Sequence, residues 1–78
     1  MNEQEYLRLV GKRIRARRVT RGLSQAQASC AIGAQAQGWW SSIECGRAGN
    51  ITLRSLRAIA EVLGCTVGEL VDIADQGR

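Results

Sequence analysis

Seventy-eight residues allow one small domain, here 1–78, with a modest core. Three widely separated cysteines, with no C-x-x-C pair and no histidine, speak against both a zinc site and a disulfide framework. No apolar run approaches membrane-spanning length and no signal-peptide pattern opens the chain, so a soluble, cytoplasmic protein without metal, cofactor or membrane partner is expected.

The formal charge is +4, and its distribution is uneven. Residues 1–24 hold seven Arg or Lys against two Glu, while residues 25–78 hold four Arg against five acids. The cationic part is the first helix, which points to a polyanionic partner. The same face could also be simply solvated. Enzyme chemistry has almost no support: there is no His, no pair of carboxylates on one helix face and no phosphate-cradling Gly loop.

The spacing predicts a first helix over 3–21, with Leu7, Val10, Ile14 and Val19 near one stripe. Gly22 is placed to stop it, and Arg17, Arg18 and Arg21 in its last turn suit the helix dipole. Leu23 is expected to pack inward. A second helix is predicted over 24–32. Ser24 and Gln27 give it an S-x-x-Q capping box. Small residues follow (Ala26, Ala28, Ser29, Cys30, Ala31), so a neighbour could approach closely. Gly33 supplies a sharp turn.

A third helix is predicted over about 36–45, ended by Gly46. Trp40 and Ile43 form its inward seam, and Gln37, Gly38, Ser41 and Ser42 its outer, uncharged face. Trp39 is expected to pack at the core edge rather than touch a ligand. Residues 47–51 read as an exposed loop. The fourth helix is predicted over about 53–63, capped by Thr52, with Leu53, Leu56, Ile59, Ala60 and Leu63 inward. Gly64 closes it. Thr66 with Glu69 forms a second capping box for a fifth helix over about 67–74, apolar at Leu70, Val71 and Ile73. The three cysteines read as small buried thiols within helices. No strand pattern competes, so the expected fold is all-α with five compactly packed helices. Two short helices joined by a Gly turn, the second presenting Gln and Ser outward, form the geometry that places a helix in a DNA major groove.

Several phrases, in this order, resemble the lambda-repressor-like, Cro-type (XRE) helix-turn-helix regulators over a core of about 10–72. They are Gly11-x-x-Ile14-Arg15-x-x-Arg18, Gly22-Leu23-Ser24-Gln25 and Ser41-x-Ile43-Glu44-x-Gly46. The run from Asn50-Ile51-Thr52-Leu53 to Leu63-Gly64, and Leu70, complete the match. The resemblance implies a sequence-specific DNA-binding domain whose second and third helices form the helix-turn-helix. It implies a dimer on a near-palindromic double-stranded operator, and the leading expectation is a small dimeric repressor or autoregulator. It assigns Gln25 to a phosphate contact and Gln35, Gln37, Gly38, Ser41 and Ser42 to the DNA-facing side. Arg18 with Glu44 becomes an internal ion pair, and Arg47, Asn50 and Thr52 a second phosphate clamp. The chain departs from the pattern in three ways. One extra residue lies between Gly33 and Ile43, and another between Gly46 and Leu53. The Ser or Thr that caps the third helix is replaced by Ala34-Gln35-Ala36, a loss of ~1 kcal/mol.

Chemically, Gln37 could pair bidentately with adenine, worth ~1–3 kcal/mol of discrimination. Gly38 costs helix propensity of ~1 kcal/mol relative to Ala, which close approach to DNA would offset. The leftover apolar side of the fifth helix, at Leu70, Val71 and Ile73, is expected to join two copies. The alternative reading is an antitoxin-like module that sequesters a partner protein. The short segment after the fifth helix, Asp75 to Arg78, counts against it.

Overall fold

A computed structural model describes residues 1–33, 37–49 and 51–73, and these contain five α-helices and no strand. The helices are α1 (Glu3–Thr20), α2 (Gln25–Ala31), α3 (Gln37–Glu44), α4 (Leu53–Leu63) and α5 (Val67–Val71). The all-α, five-helix expectation holds.

Helix starts follow the sequence closely. Ser24 Oγ accepts from the Gln27 amide at 3.0 Å while Gln27 Oε1 accepts from the Ser24 amide at 2.8 Å, closing the expected box at α2. Thr66 and Glu69 repeat it at α5, and Thr52 Oγ1 accepts from the Ser55 amide at α4. A third box, Asn2 with Glu5, starts α1 and escaped the sequence reading.

Helix ends repeat one device. At Gly22, Gly46 and Gly64 the glycine amide donates to the carbonyl three residues back. The next amide donates to the carbonyl five residues back, as in Leu23 to Arg18, Arg47 to Ser42 and Cys65 to Ala60. All three glycines have φ near +70°, the left-handed conformation that this closure requires.

The core gathers Val10, Ile14, Ala28, Trp40, Ile43, Ile59, Ala60, Leu63 and Leu70. Each large side chain contributes ~1.5–3 kcal/mol by leaving water. α1 packs on α3, α4 and α5, and α2 packs on α3. The central helix is therefore the cationic one, buried along one side only.

Several expectations need correction. Val19 is 57% exposed, because five residues beyond Ile14 place it about 140° around the helix from the core stripe. Leu53 is 73% exposed: it opens α4, and its side chain leans back past the end of the core. Cys30, on α2, and Cys45, just past the end of α3, are exposed, and only Cys65 is partly covered. α5 stops at Val71, short of the predicted end. Arg13 Nη1 donates to the carbonyls of Glu69 (2.9 Å) and Asp72 (3.0 Å), satisfying the end of this short helix from outside. The predicted end of the fifth helix at 74, and the cap position at 34–36, lie outside the described residues. In the 47–51 loop, Arg47 and Gly49 are exposed as expected, but Ala48 and Ile51 pack against the core.

Candidate functional site

The site is built on the pair α2 and α3, and one carboxylate fixes how they sit on α1. Glu44 ends α3 with its side chain only 3% exposed. Arg18 reaches it from α1 through two nitrogens, Nε to Oε2 at 2.5 Å and Nη2 to Oε1 at 3.2 Å. Gln25 Nε2, at the start of α2, donates to Oε1 at 2.9 Å, and Trp40 Nε1 donates to Oε2 at 2.6 Å. Arg18 Nη1 also donates to the Leu23 carbonyl at 2.7 Å, just before α2. One carboxylate thus joins three helices. Among the described residues no buried side-chain polar atom is left without a partner.

Burial alone would push the Glu44 carboxyl up. The hydrogen bonds from Arg18, Gln25 and Trp40 and the guanidinium charge outweigh that, and hold it below its ordinary range. It is therefore ionised at neutral pH and keeps its full grip on all three donors.

The backbone closes the same junction. A methyl group on Gly11 would fall 2.5 Å from the carbonyl oxygens of both Ile43 and Glu44. One on Gly46 would fall 2.9 Å from the Arg8 α carbon. Gln4 Nε2 adds a hydrogen bond to the Gly46 carbonyl at 3.1 Å. The end of α3 is pressed against α1.

With its inner side fixed by Trp40 and Ile43, α3 turns Gly38, Ser41 and Ser42 outward. Gly38 is exposed and the two serines are half-buried. Cys45 completes this face, three and four residues beyond the serines, and is exposed. Sequence reading took it for a buried thiol; its place on the helix wheel was the available signal. Gln37 opens α3, but its side chain lies outside the described residues, as do Gln35 and Asn50. Trp39 is half-buried against the core and borders a groove with Ile32, Arg54, Ser55 and Ala58.

Three assigned residues sit differently from a simple contact list. Gln25 spends an amide donor on Glu44 rather than standing free toward solvent. The Thr52 hydroxyl is used at its own cap, accepting from the Ser55 amide at 3.1 Å. Leu70 is 0% exposed inside the domain, so it offers no surface to a second copy. Val71 and Ile73 keep some surface, and Arg47 is exposed. Sequence reasoning missed the parts played by Gly11 and Trp40 Nε1. A glycine inside an 18-residue helix was the signal for the first, since it costs ~1 kcal/mol unless something must come close.

Among the described residues no group of three or more His, Cys, Asp or Glu could hold a metal ion, and no helix is long and apolar enough to cross a membrane. A family model described as a helix-turn-helix domain matches residues 9–72. No curated protein matches the chain.

Proposed function

The chain belongs to the helix-turn-helix domain family, a DNA-binding assignment, and on that premise we propose that it is a sequence-specific transcriptional regulator of the Cro-like kind. In this reading α3 enters the major groove of double-stranded DNA with Gln37, Gly38, Ser41 and Ser42 toward the base edges. Arg47 and the start of α4 take phosphates on one side, and the start of α2 on the other. The working unit is a cytoplasmic homodimer on a near-palindromic operator, acting as a repressor.

The observation that carries this reading is the Glu44 junction. Three helices converge on one buried carboxylate, so α3 presents its small, uncharged outer face at one angle. A groove reader needs that fixed angle more than it needs the energy of the pair, because a buried ion pair is often no better than an apolar contact of equal volume.

Selection of random duplex fragments by the purified chain tests the proposal. Enrichment of one inverted motif with half-sites about one helical turn apart, ~34 Å, is the expected result. Recovery of random sequence alone would reject sequence reading. No binding to any duplex at low salt would reject DNA as the partner and return the sequestration alternative.

A further inference from the structure

The cations of α1 do not share one task. Arg13 holds the carbonyls at the end of α5. Arg17 pairs with Glu69 at 3.2 Å, and Arg18 pairs with Glu44. Arg21, just past the helix, lays its guanidinium over Gly64. These four serve the fold. Arg8, Lys12 and Arg15 are exposed, and no described residue hydrogen-bonds or pairs with them. They stand at i, i+4 and i+7, one side of the helix, across a rise of ~10 Å.

Two further facts give this side a direction. Both acids of α1, Glu3 and Glu5, lie in its first turn, and Glu5 is held in the Asn2 capping box, so no acid interrupts the stripe. Gly46 sits against the Arg8 backbone, which brings the stripe up to Arg47 at the exit of α3. A row of unpaired cations therefore continues from the loop beside the recognition helix.

We propose that Arg8, Lys12 and Arg15 form a phosphate track that carries the DNA backbone from Arg47 along α1. The inference rests on the DNA-binding reading above and extends its contact surface to flanking, sequence-independent phosphates. A rise of ~10 Å spans about three nucleotide steps of one strand at ~3.4 Å of axial rise each. Charge complementarity selects the occupant: three free cations without an intervening acid fit a regularly charged polyanion.

The test is a titration of a fluorescent mixed-sequence 30-base-pair duplex with the full chain over a series of salt concentrations. The variants are Lys12→Gln, the triple Arg8→Gln/Lys12→Gln/Arg15→Gln, and Arg57→Gln on α4 as a charge control. The triple change removes no described hydrogen bond, and its fold is checked by circular dichroism. The slope of log K against log salt should fall by ~0.9 for Lys12→Gln and by ~2.7 for the triple variant. Arg57→Gln should leave it near the wild-type value. A triple variant with the wild-type slope overturns the track while leaving DNA binding intact. Equal slope losses in Lys12→Gln and Arg57→Gln overturn it as well, because they report only net charge. A wild-type chain that binds no duplex at low salt overturns the DNA reading itself.

Discussion

The backbone of Gly11 in α1 lies against the backbone of Glu44 at the end of α3, so closely that a β-carbon on Gly11 would meet the Glu44 carbonyl oxygen at 2.5 Å. The relationship makes the angle of α3 a property of the first helix. It also sets two glycines of this small domain in opposition, because no described residue crowds Gly38.

Gly11→Ala should lower stability. Alanine favours a helix by ~1 kcal/mol, but the clash is with backbone that cannot swing aside, and overpacking costs ~1–3 kcal/mol. Urea unfolding should show a lower midpoint. An unchanged or higher midpoint would mean that α1 and α3 separate without penalty.

Gly38→Ala should act the other way on stability and against binding. No described residue lies within 4 Å of the added methyl group, so the helix gains ~0.5–1 kcal/mol. If α3 approaches DNA closely there, affinity for the selected operator falls while the melting temperature rises. Higher stability with unchanged affinity would remove Gly38 from the contact surface.

The Arg18–Glu44 pair should behave as a unit. Arg18→Met leaves a buried carboxylate without its counter-charge, a loss of ~3–5 kcal/mol. Glu44→Leu strands the Trp40 and Gln25 donors as well. The double variant should lose less than the sum of the single ones. Strict additivity in denaturant unfolding would show two independent side chains.

Stability should fall with acid through the same residue. A carboxylate held below its ordinary range stabilises the fold above its unfolded pKa of about 4.3, and that contribution is lost as pH falls through the lower native value. Glu44→Gln should flatten the acid limb of unfolding free energy between pH 6 and pH 3. A limb of unchanged steepness would assign it elsewhere. Glu69 is the next carboxylate in order, since bonds from the Thr66 backbone and hydroxyl, and then the Arg17 charge, hold it down too.

Val71→Glu tests the proposed dimer. Val71 keeps surface in the single domain, on a helix that packs on α1 and α4. The variant should sediment as a monomer and keep only weak, salt-sensitive DNA binding. Leu70→Glu is no substitute, because Leu70 belongs to the core and its loss would unfold the chain. A wild-type monomer at micromolar concentration, selecting a single half-site, would end the dimer proposal.

The sequence by itself determined the elements and their order. Caps and stops are local: Ser24 with Gln27, Thr66 with Glu69, and the glycines at 22, 46 and 64 each act within a few residues, so their geometry is written in the spacing. The inward seam of Trp40 and Ile43 was legible for the same reason, since helical period alone puts both on one side. Residues at helix ends and off the stripe were not, and Leu53 and Val19 came out exposed because burial depends on what stands opposite.

The division of labour among the arginines was decided only by tertiary structure. In sequence, Arg13, Arg15, Arg17 and Arg18 are near neighbours of one type. In the fold they diverge, because successive helical positions turn by about 100° and meet different helices. Arg13 and Arg17 face α5, Arg18 faces α3, and Arg15 faces solvent. The Glu44 junction is of the same kind. Its donors come from positions 18, 25 and 40, and a carboxylate joins such separate donors only after packing has excluded the water that would otherwise serve each of them.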